Sequence, residues 1–303
     1  MTSRTIAVIG LGIMGGPMAA NLVKAGFDVI GYNRSPGGIE RLISQGGRGA
    51  ASIAEAVAGA DAVITMVPAD ADVKDVILGD AGVLASARPG TLVIDMSTVT
   101  PRTSVEVAAA AQDAGMRTLD APVSGGEAGA IEGALSIMVG GAEADFADAQ
   151  PILKALGTTI VHVGPAGAGQ TVKAANQLIV AVNIEALAEA VVLLERAGVD
   201  LGAALDVLAG GMAGSTVLNR RRAAMERRDF KPGFRIDLHH KDMGILADTA
   251  RALEVSLPAG SVAGQMIASA RACGDGALDH SVLLLGVERL SGMRAGGSGD
   301  ELQ

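Results

Sequence analysis

Thr5-Ile6-Ala7-Val8-Ile9-Gly10-Leu11-Gly12-Ile13-Met14-Gly15 is the stretch that decides the fold. Ile6–Ile9 is apolar and largely β-branched, with no polar alternation, as expected of a parallel strand covered on both faces. A G-x-G-x-x-G follows at once, and a helical pattern begins at Met14. Each glycine has a physical reason: a tight turn, close backbone approach to a pyrophosphate, and close helix–strand packing. The helix N-terminus adds unpaired N–H groups and a partial positive charge. With 42 glycines in 303 residues, the motif alone would be weak. Its place between a strand and a helix makes it a dinucleotide-binding signal, carried by Gly10, Gly12, Ile13, Met14 and Gly15.

Outward from this loop, strand-like runs recur at 29–32, 62–67, 92–96, 118–121, 137–139 and 160–163. Helical patterns alternate with the early ones at 14–25, 37–45, 52–58, 70–78 and 101–114. This grammar predicts a Rossmann-type, doubly wound α/β domain over 1–163. From 164 strand-like runs almost vanish. One helical pattern covers 169–196, and others follow at 200–210, 214–227, 240–253, 258–271 and 280–291. The expectation is an all-α C-terminal domain over 164–303, joined to the first by a long interdomain helix. The Gly-rich, polar tail 294–303 is expected to be mobile.

Composition narrows the function. A chain of 303 residues suits two domains, and 49% hydrophobic against 19% charged residues is a globular balance. No Trp, one Tyr and four Phe leave an aliphatic core and no platform for stacking nucleobases. A net charge of −9 and a pI near 5.0 argue against nucleic acid and anionic lipid as partners. Any anionic ligand must therefore find local positive groups. Cys273 is the single cysteine, which excludes an internal disulfide and a Cys-rich zinc site and suits a reducing compartment. The most membrane-like stretch, 178–194, contains Asn183, Glu185 and Glu189, so a buried helix is expected rather than a membrane span. No basic segment followed by a signal core leads the chain, and a cytoplasmic protein is expected.

The end of the second strand bears on the cofactor. An NAD site usually has Asp or Glu there to bond the ribose hydroxyls. Here Asn33-Arg34-Ser35 stands instead. Without a carboxylate nothing repels a 2′-phosphate, and Arg34 can grip it with a charge-assisted fork, so NADP(H) is preferred and NAD(H) possible.

Two further segments carry chemistry. In Asp120-Ala121-Pro122-Val123-Ser124-Gly125-Gly126, a Ser hydroxyl beside glycine amides can hold a carboxylate; a plain Gly-rich turn is the alternative. In Gly169-Gln170-Thr171-Val172-Lys173-Ala174-Ala175-Asn176-Gln177, a lysine sits among small residues, where burial is costly unless it is bound or does chemistry. Asn176 and Gln177, at i+3 and i+4, share its face. An ammonium beside an amide can polarise a carbonyl and donate a proton during hydride transfer. A lysine snorkelling from a helix end is the alternative. His162, His239, His240 and His280 form no metal-binding pattern.

Together these segments resemble the β-hydroxyacid dehydrogenase family, from Ile6 to about Leu290. The matching segments are Ile9 to Gly15, Asp120 to Gly126, Gly169 to Gln177 and Lys241-Asp242. Ala121 to Glu127, Lys173 to Gln177, Gly214 to Leu218 and Lys231 to His239 are most similar to members that reduce tartronate semialdehyde to glycerate. The resemblance implies a catalytic Lys173 and a substrate grip of Ser124, Gly125 and Gly126. It also implies a nicotinamide side lined by Met66, Val67, Pro68 and Thr98, with Phe234 and Lys241 near the cofactor. The implied substrate is a small carboxylate-bearing aldehyde or hydroxy acid, and the implied assembly a homodimer or homotetramer. Many members place an amide Asn four residues after the lysine. This chain has Asn176 at three and Gln177 at four, so either could orient the substrate. Oxidation of 3-hydroxyisobutyrate and reduction of glyoxylate or succinic semialdehyde are the enzymatic alternatives. A dinucleotide-sensing scaffold is the non-enzymatic one.

Overall fold

Residues 4–293 are described by a computed structural model; the tail 294–303 lies outside the described residues. By chain contacts it divides into two compact units, Met1–Lys173 and Ala174–Gln303. The division falls inside a long helix, later in the chain than the 163/164 boundary expected from sequence.

The first unit runs β1 (Thr5–Ile9), α1 (Gly15–Lys24), β2 (Asp28–Tyr32), α2 (Pro36–Ser44), β3 (Arg48–Gly49), α3 (Ile53–Val57), β4 (Ala62–Thr65), α4 (Asp70–Leu78), α5 (Val83–Ser86), β5 (Leu92–Asp95), α6 (Pro101–Asp113), β6 (Arg117–Asp120), β7 (Val123–Ser124), α7 (Gly126–Glu132), β8 (Leu135–Gly141), α8 (Glu143–Lys154) and β9 (Gly157–Gly164). The sheet order is β3-β2-β1-β4-β5-β6-β8-β7, with β9 on β8. Strands β1 to β6 pair in parallel. Alternate residues of each strand enter different cores: Ile6, Val8, Ile64 and Ile94 on one face, Ala7, Ile9, Val63 and Val93 on the other. Burial on both faces is why these strands read as unbroken apolar runs.

The far edge of the sheet departs from the expected parallel pattern. Strand β8 runs antiparallel to β6 and β7, and parallel to β9. Residues 125–134 between β7 and β8 are fewer than the roughly dozen a parallel crossover needs. The longer link through α8 permits the parallel pairing with β9.

Helix α9 (Ala168–Arg196) leads into the second unit, which continues with α10 (Leu201–Gly210), α11 (Thr216–Arg227), α12 (Ile236–Ala252), α13 (Pro258–Ala270), a short π segment Arg271–Asp275, a 3-10 turn His280–Val282 and α14 (Leu283–Leu290). Its core is aliphatic, with Ala181, Ile184, Ala188 and Val191 of α9 fully buried against Leu205, Met225, Ile236, Ile267 and Leu283. By length and composition alone α9 could cross a membrane. It buries this face in protein, however, and also carries Glu185 and Glu189.

Candidate active site

The glycine loop leaves β1 with Gly10 at φ +99°, where a Cβ would also collide with the Met66 carbonyl oxygen. A Cβ on Gly15 would strike the Gly10 carbonyl oxygen, so this glycine lets α1 approach the strand. Gly12 differs: beyond its own chain neighbours, nothing lies within 4 Å of where its Cβ would be. Its side is open, as an approaching pyrophosphate requires. Helix α1 begins with no acidic residue in its first turn and no side-chain cap, which keeps its positive end available to an anion. Ile13 beside it is 60% exposed.

Asn33 stabilises the adjoining turn. Its Oδ1 accepts from Leu11 N at 3.0 Å, and its Nδ2 donates to the Ser35 carbonyl and hydroxyl. Arg34 projects outward, 80% exposed in its side chain, with Asp72 of α4 at 3.5 Å. Of Asn33, Arg34 and Ser35, Arg34 alone offers a positive charge.

Beyond β4 and β5, Ser97 Oγ accepts from Val67 N at 3.0 Å, tying the Met66-Val67-Pro68 turn to the loop carrying Thr98. Asp95 underlies this loop, fully buried, accepting from Thr65 Oγ1 and Ser97 N. Burial raises its carboxyl pKa against the pull of those donors.

Beyond β6, Ser124 lies in β7 opposite Ser136, and Gly125 and Gly126 adopt φ +139° and +63°. Beyond its chain neighbours and its own helix backbone, nothing lies within 4 Å of a Cβ position on Gly126, so this side of the turn is open. Lys173 is buried at 7% exposure, and its Nζ donates to the Val123 carbonyl oxygen at 2.8 Å. That carbonyl immediately precedes Ser124, so the lysine and the proposed grip share one backbone. Asp120 begins the same loop. Its two carboxylate oxygens accept from Gly167 N at 2.8 Å and Gln170 N at 3.0 Å. Burial pushes its pKa up to about 6 against those bonds. Gln170 is fully buried; its Nε2 donates to the Ser97 carbonyl and its Oε1 accepts from Val99 N.

In the second unit, Asn176 Nδ2 donates to Gln177 Oε1 at 2.7 Å, and Gln177 Nε2 to Asp242 Oδ2 at 2.6 Å. Lys241 Nζ lies 3.3 Å from Asp242 Oδ1. Gln177 is buried and Asn176 only partly so. The amide four residues after the lysine is thus committed to Asp242, leaving Asn176 the more accessible. Phe234 packs against His239 and His280 at ring-centroid distances of 5.2 and 5.5 Å. Asp279 accepts from the amides of Gly233 and Phe234. Burial first, and then the neighbouring His239, lower the His280 pKa to about 3.

Within the first unit, then, Ser124, Gly125 and Lys173 come together, as do the glycine loop and Asn33. Within the second, Asn176, Gln177 and Lys241 are linked through Asp242. Sequence reading quoted segments containing Asp242, Gln170 and Asp120 but gave none of these three side chains a role. A signal for Gln170 was available: Gln170, Lys173 and Gln177 stand at i, i+3 and i+7, a polar stripe along one face of the helix.

Comparison with known proteins bears on these residues together. Residues 5–164 match the NAD binding domain of 6-phosphogluconate dehydrogenase, and 167–285 match the NAD-binding domain of NADP-dependent 3-hydroxyisobutyrate dehydrogenase. The chain is 40% identical to 2-hydroxy-3-oxopropionate reductase of Escherichia coli, over 94% of this chain and 98% of that protein. The chain belongs to the β-hydroxyacid dehydrogenase family. It is an NAD(P)-dependent oxidoreductase of that family, with a Rossmann-like sheet followed by an all-helical part. Another member, 3-hydroxyisobutyrate dehydrogenase of Pseudomonas aeruginosa, is 40% identical over 85% of this chain and 89% of its own length. Among solved structures, 3-hydroxyisobutyrate dehydrogenase of Mycobacterium tuberculosis with L-serine superposes with a TM-score of 0.86 at 39% identity, covering 94% of this chain and 99% of that one.

Proposed function

We propose that this β-hydroxyacid dehydrogenase reduces tartronate semialdehyde (2-hydroxy-3-oxopropanoate) to glycerate, with NADPH preferred over NADH. The observation that carries the chemistry is the 2.8 Å bond from Lys173 Nζ to the Val123 carbonyl, which ties a buried ammonium to the backbone of the Ser124-Gly125-Gly126 turn. The Ser124 hydroxyl and the amides of Gly125 and Gly126 hold the substrate carboxylate without a full positive charge. Lys173 polarises the aldehyde oxygen and gives it a proton as the alkoxide forms. In the second unit Gln177 is held by Asp242 and accepts from Asn176, so of the two amides Asn176 is the one offered to a substrate. The nicotinamide, when bound, supplies the hydride. The residues of the first unit that would hold the dinucleotide are the Gly10–Gly15 loop, Arg34, the turn 66–68 and Thr98.

Small residues in the grip favour a three-carbon acid, and the E. coli relative named for this reaction matches almost end to end. The 3-hydroxyisobutyrate relative is equally identical over a shorter stretch, so substrate choice turns on the central carbon: hydroxyl against methyl. Initial rates with purified protein distinguish them. NADPH and NADH are crossed with tartronate semialdehyde, glyoxylate and succinic semialdehyde, and oxidation of 3-hydroxyisobutyrate and L-serine is run alongside. A dominant kcat/KM for tartronate semialdehyde supports the assignment, and a dominant value for another substrate overturns it. A cytoplasmic homodimer or homotetramer completes the proposal.

A further inference from the structure

The first turn of α9 is capped from a distance. Gly167 precedes the helix and has no side chain, while Gln170 occupies its third position. In an ordinary capping box the residue before the helix bonds the third N–H, and the third side chain bonds back. Here one carboxylate far away in sequence does both: Asp120 Oδ1 takes Gly167 N and Oδ2 takes Gln170 N. The fit is tight. A Cβ on Gly140 or on Gly169 would run into the Asp120 carboxylate.

Relieved of the capping task, the Gln170 side chain turns to the loop after β5, bonding Ser97 O and Val99 N on either side of Thr98. The helix start is thereby pinned to the ends of two adjacent strands. One turn further on, Lys173 Nζ reaches Val123 O in the loop that Asp120 opens.

We propose that Asp120 and Gln170 are positioning residues for the reaction: together they clamp the first turn of α9 to the ends of β6 and β5, and so hold the Lys173 ammonium in register with the Ser124-Gly125-Gly126 grip. This role rests on Lys173 being the proton donor. Neither side chain touches the reacting atoms. Their effect is on where the ammonium sits, and misplacement by about 1 Å can cost on the order of 100-fold in rate.

Asp120→Asn keeps the shape but turns one acceptor into a donor facing an N–H. Its kcat should fall about tenfold or more while the NADPH Kd, read by fluorescence titration, stays within about twofold. The solvent deuterium isotope effect on kcat should rise, because proton delivery becomes limiting; a general loss of folded protein would not move it. Gln170→Ala should give the same signature, and it decides the matter if Asp120→Asn does not fold. Wild-type kcat in the folded variants, or a loss with an unchanged isotope effect, overturns the clamp. Lys173→Ala is measured in parallel: if it retains turnover, the proton-donor assignment fails; if it is dead while the clamp variants are fully active, only the clamp fails.

Discussion

Lys173 is a buried ammonium in a helical turn of small residues, and such a charge persists only where its protons are bonded. The Val123 carbonyl accepts one of them. In the proposed reaction another goes to the substrate oxygen, so Lys173→Ala should lower kcat by roughly 10²–10⁴-fold. Cofactor Kd should stay near wild type, and near-normal turnover would sink the assignment. Arg34 poses a different question, because it lies in the open with Asp72 at 3.5 Å. A 2′-phosphate would compete with Asp72 for the guanidinium. Arg34→Ala should therefore weaken NADPH far more than NADH, whereas Asp72→Asn should strengthen NADPH selectively. Equal changes for both cofactors in fluorescence titrations would refute the 2′-phosphate contact. These side chains were legible in the sequence because each breaks a local rule: a lysine among alanines, and an arginine where a carboxylate is usual. Asp120 and Asp242 break none, since a carboxylate after a strand or on a helix is ordinary until its partners across the fold are known.

At the scale of elements, β1, β2, β4, β5 and β6 and the long α9 followed from hydrophobic pattern. Strands buried on both faces and a helix of eight turns leave strong periodic signals. The two-residue strands β3 and β7 left none, and neither did the short helices α5 and α7. Helix α8 was also missed: Glu143-Ala144-Asp145-Phe146-Ala147-Asp148-Ala149-Gln150-Pro151 reads as polar, with a proline inside. Its buried residues, Ala149, Ile152 and Leu153, all lie in its second half, behind this polar start. Within α9 one side chain opposes the fold. Glu185 is buried, its Oε2 without a hydrogen-bond partner among the described residues, and burial with Glu189 nearby raises its pKa to about 7. A carboxyl whose folded pKa is raised binds more protons folded than unfolded between the ordinary value of 4.5 and about 7. Its contribution to stability therefore falls as pH rises through that window and is fully lost above it. Glu185→Gln removes this dependence. By chemical denaturation the variant should gain on wild type by about 3 kcal/mol between pH 4 and pH 9, most of it between pH 5 and 7. A constant difference across that range would show that Glu185 is not neutral in the folded state.

At the scale of the whole molecule, the helical half carries several exposed apolar side chains. Charge on the chain is ample, at −9, yet on α9 Ile179, Ala186 and Leu193 stand seven residues apart and all exposed. Ile179 is 61% and Leu193 70% exposed, and Val207, Val262 and Leu290 of the same unit exceed 60%. A seven-residue spacing keeps apolar groups on one helix face over several turns, the pattern of a seam against another helix. Isolated exposed apolar residues are ordinary; an aligned row on one helix is the mark of an interface. A second copy of the chain is the partner every solution of this protein contains, and a twofold axis would set this face against itself. Light scattering after size exclusion should therefore give a dimer or tetramer mass that holds over about a hundredfold dilution. Ile179→Glu with Leu193→Glu would place like charges in the seam and should shift the mass toward the monomer, with the far-UV circular dichroism retained. A wild-type monomer at all concentrations, or an unaltered assembly in the double variant, would remove α9 from the interface.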